Sequence, residues 1–484
     1  MNNIIKNNIG FLFVFLPAGF ILGLFIGNPI NPLLIYDYNL NLFYKLAFIL
    51  LFLLLVEALF KRNKPWIIPS LIIYATVAIW YLIEAVYTPE YFTNFSNEVQ
   101  ENAYLQIICF LAAFRLLVPQ ITYKLIHLNE SKPKLSIKPF LDPKQILFYI
   151  SIIWLGLLLY GISRMNGDIF SALFPLNARA GINMWGRGAG ASAGSSGFII
   201  SSAAYIYLLV CSFFGILLIL QTTNSGKIIN LLLILISWPY FILLGARNQF
   251  LAVAMPAYFS YLLLSKQKLW IKLLITIVAF LALNYVFTLI IAYRDVGFSS
   301  VFSEGSHSTV APSEQKHLGL NMFQELCFIN SFYQKGTLHS QYGGDYIAQF
   351  LNFVPRAIWS NKPLLGIEYA IARGFGTTNT DIGVSATVST GLIGQGLVNF
   401  GPYFGPLAPA FLLALWAGFL ARLWSQRYSV LRLCLFLVGL GTTFNLGREI
   451  TLLVLWPMVF GYALVRIIEN FNKKKSPKIS RNYY

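Results

Sequence analysis

Long apolar runs separated by short polar intervals organise this chain. A transmembrane helix needs about 20 mostly apolar residues. Such runs fall near 9–27, 43–60, 66–87, 103–121, 146–163, 198–221, 228–244, 249–265, 270–292, 399–421, 430–446 and 450–468. The pattern predicts an all-α polytopic membrane protein with about 12 transmembrane helices. Spans one to nine occupy 1–292, with an outer loop at 165–197, and a large polar interval at 293–398 precedes spans ten to twelve at 399–468. A basic tail follows at 469–484. No A-x-A-like cleavage site follows the first run, which is read as a retained span and not a signal peptide.

Charge orients the spans, because Lys and Arg of short loops are retained on the cytoplasmic side. The loops with Lys61, Arg62 and Lys64, with Lys124 to Lys144, with Lys227, with Lys266, Lys268 and Lys272, and with Arg422 and Arg427 all fall on one side. Lys6 and the tail residues Lys473, Lys474, Lys475, Lys478 and Arg481 join them, so both termini are expected in the cytoplasm. Asp37, Glu90, Glu98 and Glu101 fall opposite. A composition 57% hydrophobic and 11% charged excludes a soluble cytosolic enzyme. The net charge of +17 lies largely where anionic headgroups would meet it, so the partner it implies is the lipid bilayer and no nucleic acid. Only Cys327 of the 4 cysteines falls in an outer segment, which gives no disulfide framework and no thiolate metal site.

The outer face is rich in arginine: Arg164, Arg179, Arg187, Arg247, Arg294, Arg356, Arg373 and Arg448, with Lys45, Lys316, Lys335 and Lys362 as lysine companions. The planar guanidinium suits bidentate contact with phosphate. Arg247, Arg294 and Arg448 stand at the mouths of spans. There they either hold the diphosphate of a lipid-linked substrate, or snorkel to lipid phosphates and pair with acids such as Asp295 and Glu449. Arg179 and Arg187 lie in a loop that runs into Gly, Ala and Ser, which reads as a mobile cover over a ligand or as a plain connector. In the long interval, Asn321 to His339 has the spacing of an amphipathic helix lying on the membrane or capping the bundle. Gly343 and Gly344 break it, and Asp345 to Ala357 forms a second short helix. Two prolines, Pro355 and Pro363, then restrict the backbone around Arg356, Trp359 and Lys362. Glu57, Glu84 and Arg115 lie near span ends, where snorkelling or pairing accounts for them; a transport pathway is the other reading.

The string Pro355-Arg356-x-x-Trp359-x-x-Lys362-Pro363, the preceding Tyr342-Gly343-Gly344-Asp345-Tyr346, the stretch from Gly383 to Asn399-Phe400-Gly401, and the turn Gly245-Ala246-Arg247 resemble the Wzy-type O-antigen and oligosaccharide repeat-unit polymerases. The resemblance covers roughly residues 230 to 420. Ser360 departs from it where many relatives place a proline, and Gln395 where an acid is frequent. It implies a GT-C-like integral-membrane glycosyltransferase of a bacterial inner membrane, its active site facing the periplasm. Such an enzyme transfers a glycan from undecaprenyl diphosphate to the non-reducing end of another lipid-linked repeat unit, beside a flippase and a chain-length regulator. Arg179, Arg187, Arg247, Arg294, Arg356, Trp359, Lys362, Arg373 and Arg448 are then the expected substrate-binding residues. The acceptor hydroxyl must lose a proton. Glu304, His307, His317, Glu325, His339, Asp345, Glu368 and Asp381 are the outer groups available, with His339, Glu368 and Asp381 favoured because they flank the arginine-rich stretch. No metal or other cofactor is expected: no Asp-x-Asp stands at the outer end of an early span, and the histidines lack ligand spacing. An O-antigen ligase and, from a different class, a polysaccharide flippase or transporter are the alternatives. Two-fold internal repetition, usual in transporters, is missing, since the long interval has no counterpart in the first half.

Overall fold

The computed structural model describes residues 41–83, 94–127, 141–177, 183–186, 196–293, 297–299, 321–351, 354, 358–359, 366–376 and 388–475. The first apolar run and Glu84 lie outside the described residues. The described chain is all-helical. Its order is α1 (Leu42–Phe60), α2 (Ile67–Val77, continued by a wider π turn at Ala78–Ile83), α3 (Asn97–His127), α4 (Pro143–Arg164), α5 (Ile169–Leu173), α6 (Ser196–Leu220), α7 (Asn224–Leu243), α8 (Arg247–Leu264) and α9 (Leu269–Tyr293). Then follow α10 (Met322–Gln334), α11 (Gly344–Phe350), α12 (Ile367–Ala372), α13 (Leu392–Phe404), α14 (Leu407–Ser425), α15 (Val430–Leu446) and α16 (Leu452–Lys475). Among the described residues, 8 of these helices are long and apolar enough to cross a membrane: α1, α3, α4, α6, α7, α9, α14 and α16. Helices are the required form there, because each N–H and C=O must find a partner without water. Large side chains on α1 and α9, such as Phe52 and Trp270, face outward, as a lipid-exposed surface allows.

Cross-helix contacts fix the polarity of the bundle. Gln106 of α3 donates to the carbonyl of Pro402 at 3.3 Å, and Gly418 of α14 packs on Ile121 and Leu125 further along, so α3 and α14 run parallel. Trp80 donates to the Phe444 carbonyl, which makes α2 parallel to α15. Asn445 donates to the Asn248 carbonyl and Gly441 packs on Pro256, which makes α8 antiparallel to α15. Ser429 at the start of α15 donates to Glu469 near the end of α16. By these contacts the helix ends sort into two groups. One end of the bundle gathers the turns around Arg247 and Arg448 and both ends of the interval between α9 and α14. The other gathers Lys61, Arg62, Lys64, Lys124, Lys266, Lys268 and Arg427. Among the described residues, Arg247 and Arg448 thus lie at the end opposite these lysines.

At the lysine-rich end Glu57 is held by Arg115 and by Lys61 at 2.6 Å, and Arg115 lies over the Trp66 ring. Both charges therefore have partners inside the structure. The centre is α15, in which nearly every residue is buried. Its glycines are the points of closest approach: an added Cβ would meet Leu420 and Met458 at Gly439, and Pro256 at Gly441. Small residues at such positions let membrane helices approach backbone to backbone.

Two elements differ from the sequence pattern. The helix expected over 321–339 is α10, shorter than expected, and of the two placements it takes the one on the bundle, burying Met322, Phe323, Leu326, Cys327 and Ile329 against α3, α13 and the π turn. The tenth run, expected at 399–421, is divided. Gly401 has φ 77° and ψ 174° and Pro402 has no amide hydrogen, so a helix cannot pass through them. The break falls inside α13, after its buried part, and α14 begins at Leu407. The chain folds back so tightly that a Cβ on Gly396 would lie 2.1 Å from the Gly405 carbonyl oxygen. Gly396→Ala should therefore destabilise the protein by about 1–3 kcal/mol. Gly156→Ala in α4, with nothing within 4 Å, should be neutral or gain about 0.5–1 kcal/mol. Thermal melts of the two variants in detergent check this; equal melting temperatures would sink the account of the hairpin.

Candidate functional site

A short buried helix leaves free N–H groups at its start and free carbonyls at its end, and each needs a partner. At the start of α13, Leu392 N–H donates to the Gly447 carbonyl at 3.2 Å and Ile393 N–H to the Tyr81 hydroxyl at 2.9 Å. At its end, the Leu397 carbonyl accepts from Tyr333 Oη at 2.8 Å, the Val398 carbonyl from Gln341 N–H at 3.1 Å, and the Asn399 carbonyl from Gly343 N–H at 3.3 Å. Two side chains extend the pattern. Asn399 Oδ1 caps α11 by accepting from the Asp345 and Tyr346 amides, and Gln395 Oε1 accepts from Ile450 N–H at 3.1 Å. So α13 holds two segments in place: α11, which carries Asp345, and the turn after α15, which carries Arg448 and Glu449.

Each of these segments carries a carboxyl group. Asp345 is almost fully buried and its carboxyl is pushed up to about 6, by burial first and by the charge of Glu368, against a stabilising hydrogen bond from the Gly366 backbone. Glu449 is partly exposed as a residue while its carboxyl is buried, and that carboxyl is pushed up to about 7. Burial is again the main cause, and the charge of Asp345 adds to it. Ser389 Oγ, which donates to Glu449 Oε2 at 3.1 Å, and the neighbouring Arg448 pull the other way. Between them Tyr346 is buried, its hydroxyl without a hydrogen-bond partner among the described residues. Burial and the charges of Glu449 and Asp345 raise its pKa. Two buried carboxyls with pKa values raised toward neutrality, one of them next to a guanidinium, are suited to accept a proton from a hydroxyl substrate.

A second cluster lies on α10 and α12. Glu325, with no exposed surface, takes Arg373 through two nitrogens at 3.1 and 3.2 Å and accepts from the Tyr369 hydroxyl. The Arg373 guanidinium also lies 3.7 Å from the centre of the Phe328 ring. Burial pushes the Glu325 carboxyl up, while Arg373 and Tyr369 pull it down. Arg373, expected to meet substrate, thus directs its fork at a buried acid.

No protein-family model, curated protein or solved structure matches the chain.

The expected site residues divide three ways. Arg179, Arg187, Arg294, Arg356, Lys362 and Asp381 lie outside the described residues. Arg247 opens α8 after Gly245, whose φ of 73° turns the chain, and Asn445 ties that turn to the end of α15, so Arg247 and Arg448 sit at adjoining helix ends. Glu368 is exposed on α12, accepts from Gln341 Nε2 at 2.9 Å, and is near enough to Asp345 to raise its pKa. His339 is exposed in the turn between α10 and α11, and Trp359 is partly buried. Glu449 was read only as a partner for an arginine, and Asp345 only as one available acid. The signal for both was weak: a charged residue in a turn between two spans, and an acid following a Gly-Gly break.

Arg373→Met should cost about 3–5 kcal/mol, the scale for removing one partner of a buried ion pair. Arg373→Met with Glu325→Gln should recover part of it. Denaturation of the three proteins in detergent checks this, and a stable single variant would release Arg373 for a substrate role.

Proposed function

We propose that this chain polymerises lipid-linked oligosaccharide repeat units at the outer side of a bacterial inner membrane. The donor is a glycan on a polyprenyl diphosphate, and the acceptor is a sugar hydroxyl at the non-reducing end of a second lipid-linked unit. The observation that carries the reading is that α13 anchors two segments bearing acids with raised pKa values, Asp345 and Glu449, with Arg448 next to Glu449, at the end of the bundle opposite the lysines. Their separation from the lysine-rich end supports an outer location by the positive-inside rule.

The chemistry follows from those groups. The bond between the sugar's anomeric carbon and the diphosphate oxygen breaks, and a bond from that carbon to the acceptor oxygen forms. The acceptor's proton passes to Glu449, which is poised near neutral pH to take it, and then to water. Negative charge grows on the departing diphosphate, and Arg448 and Arg247 face it from adjoining helix ends, a contribution of several kcal/mol when such cations are preorganised. Burial keeps the Glu449 pKa high, and the charge of Asp345 adds to it. Arg356, Trp359 and Lys362 complete the reading as residues that grip the diphosphate and an adjoining sugar.

The same titrating acids would serve proton coupling in an exporter of lipid-linked glycan, which is the reading to be tested against. Glu449→Gln should lower polymerisation by about 10²–10⁴-fold, the scale of a lost general base. The cell would then display single-unit glycan in place of a ladder. Wild-type activity should rise with pH through about 7, as the base form of Glu449 appears. Asp345→Asn, which removes the charge that raises Glu449, should move that midpoint to lower pH. A full ladder in Glu449→Gln would exclude it as the base; loss of all surface glycan would favour the exporter, and polymer stranded on its carrier a ligase.

A further inference from the structure

An apolar groove of about 400 Å³ runs between α14 and α16 and is closed at its back by Leu446 of α15. Its walls include Leu412 and Trp416 of α14 and Val459 and Tyr462 of α16, and every lining residue is aliphatic or aromatic. The two polar atoms this lining might present are already engaged. Trp416 Nε1 donates to Thr443 at 3.0 Å, and Tyr462 Oη accepts from Arg466 at 3.1 Å. The groove therefore offers an occupant dispersion and desolvation only.

Its upper end is the informative part. There the lining residues are Phe350, the last residue of α11, and Ile450, the neighbour of Glu449. The two segments that carry the acid pair thus also form the mouth of the groove. From Ile450 to Tyr462 is 12 residues, roughly 18 Å at the helical rise of 1.5 Å per residue. At about 30 Å³ for a water-sized group, the volume takes on the order of a dozen carbons, two or three isoprene units. A ligand whose charged group meets Arg448 has its first apolar carbons at this mouth.

We infer that the groove between α14 and α16 seats the first isoprene units of the polyprenyl tail of a lipid-linked substrate, with the tail's charged end at the Arg448 turn. The inference rests on the proposed substrate class and deepens it: the carrier is held by its tail as well as by its diphosphate. The tail then sets the depth and direction from which the reacting carbon enters the cleft.

The test uses the full-length wild-type protein in bilayer discs of phosphatidylethanolamine and phosphatidylglycerol. The probe is a long-chain polyprenyl diphosphate with a photoactivatable diazirine in its second isoprene unit. Mass spectrometry should find adducts in the peptides covering 412–419 and 455–462. Excess unlabelled polyprenyl diphosphate should reduce them at least tenfold, and excess phosphatidylglycerol should not. Val459→Trp, at a position 52% exposed, fills the groove and should abolish these adducts while leaving the melting temperature in place. Adducts spread over the outward faces of α1 and α9, or displaced equally by phosphatidylglycerol, would overturn the inference and identify the groove as a bulk-lipid contact. Glycan ladders are scored separately on the same preparations supplied with a polyprenyl-diphosphate-linked oligosaccharide in place of the probe. Groove adducts without polymerisation would retain the tail site and remove the polymerase reading, and polymerisation without groove adducts the reverse.

Discussion

The arrangement at the arginine-rich end depends on satisfying the ends of one short buried helix. Away from water an unpaired peptide group costs several kcal/mol, so a helix interrupted inside a membrane protein persists only where other groups take up its freed N–H and C=O groups. α13 is such a helix. Its first amides go to Gly447 and Tyr81, and its last carbonyls take Tyr333, Gln341 and Gly343. Those five partners come from the end of α15, the π turn after α2, α10 and the approach to α11. Closing the hydrogen bonds of one helix thereby assembles the walls of the cleft.

The side chains of α13 give that assembly its function. Gln395 Oε1 accepts from the Ile450 amide, and its Nε2 lies 3.5 Å from the Ile450 carbonyl, which fixes the turn next to Glu449. An acid at this position has no donor for that carbonyl. The glutamine at this position thus fits a positioning role. Asn399 does the same for Asp345 by capping α11. Both carboxyls are aimed from segments anchored on one rigid element, and the burial that raises their pKa values comes from the same packing.

Several charges elsewhere among the described residues are spent internally. Glu57 faces Arg115 and Lys61, Arg432 faces Glu469 with nitrogens at 2.6 and 2.8 Å, and Glu325 faces Arg373. These pairs tie helices together and satisfy charges that burial would otherwise penalise. The turn at Arg448 and Glu449 differs, because its guanidinium and carboxyl are adjacent in the chain and both residues remain partly exposed.

The sequence by itself determined the helical class, the positions of most helices and the division of lysine from arginine, because each is a local or additive property. A run of apolar residues forms its helix wherever it is packed, and loop charges sort by side without reference to neighbours. It also marked a helix from Asn321 and a break at Gly343-Gly344, through spacing and glycine alone, although it carried the helix to His339 where α10 ends at Gln334. It did not reveal α13, whose first residues fell in the interval before the tenth run, because a short helix broken at Gly401-Pro402 is tolerated only where distant groups pair the freed backbone. Nor did it distinguish Glu449 from any other acid in a turn, or Arg373 from an arginine facing solvent. Those distinctions arise from burial and from partners 48 to 60 residues away in the chain, as between Arg373 and Glu325 or Ser389 and Glu449. Only tertiary structure supplies them, because a carboxyl's pKa and a guanidinium's availability are set by what surrounds the group and not by its place in the sequence.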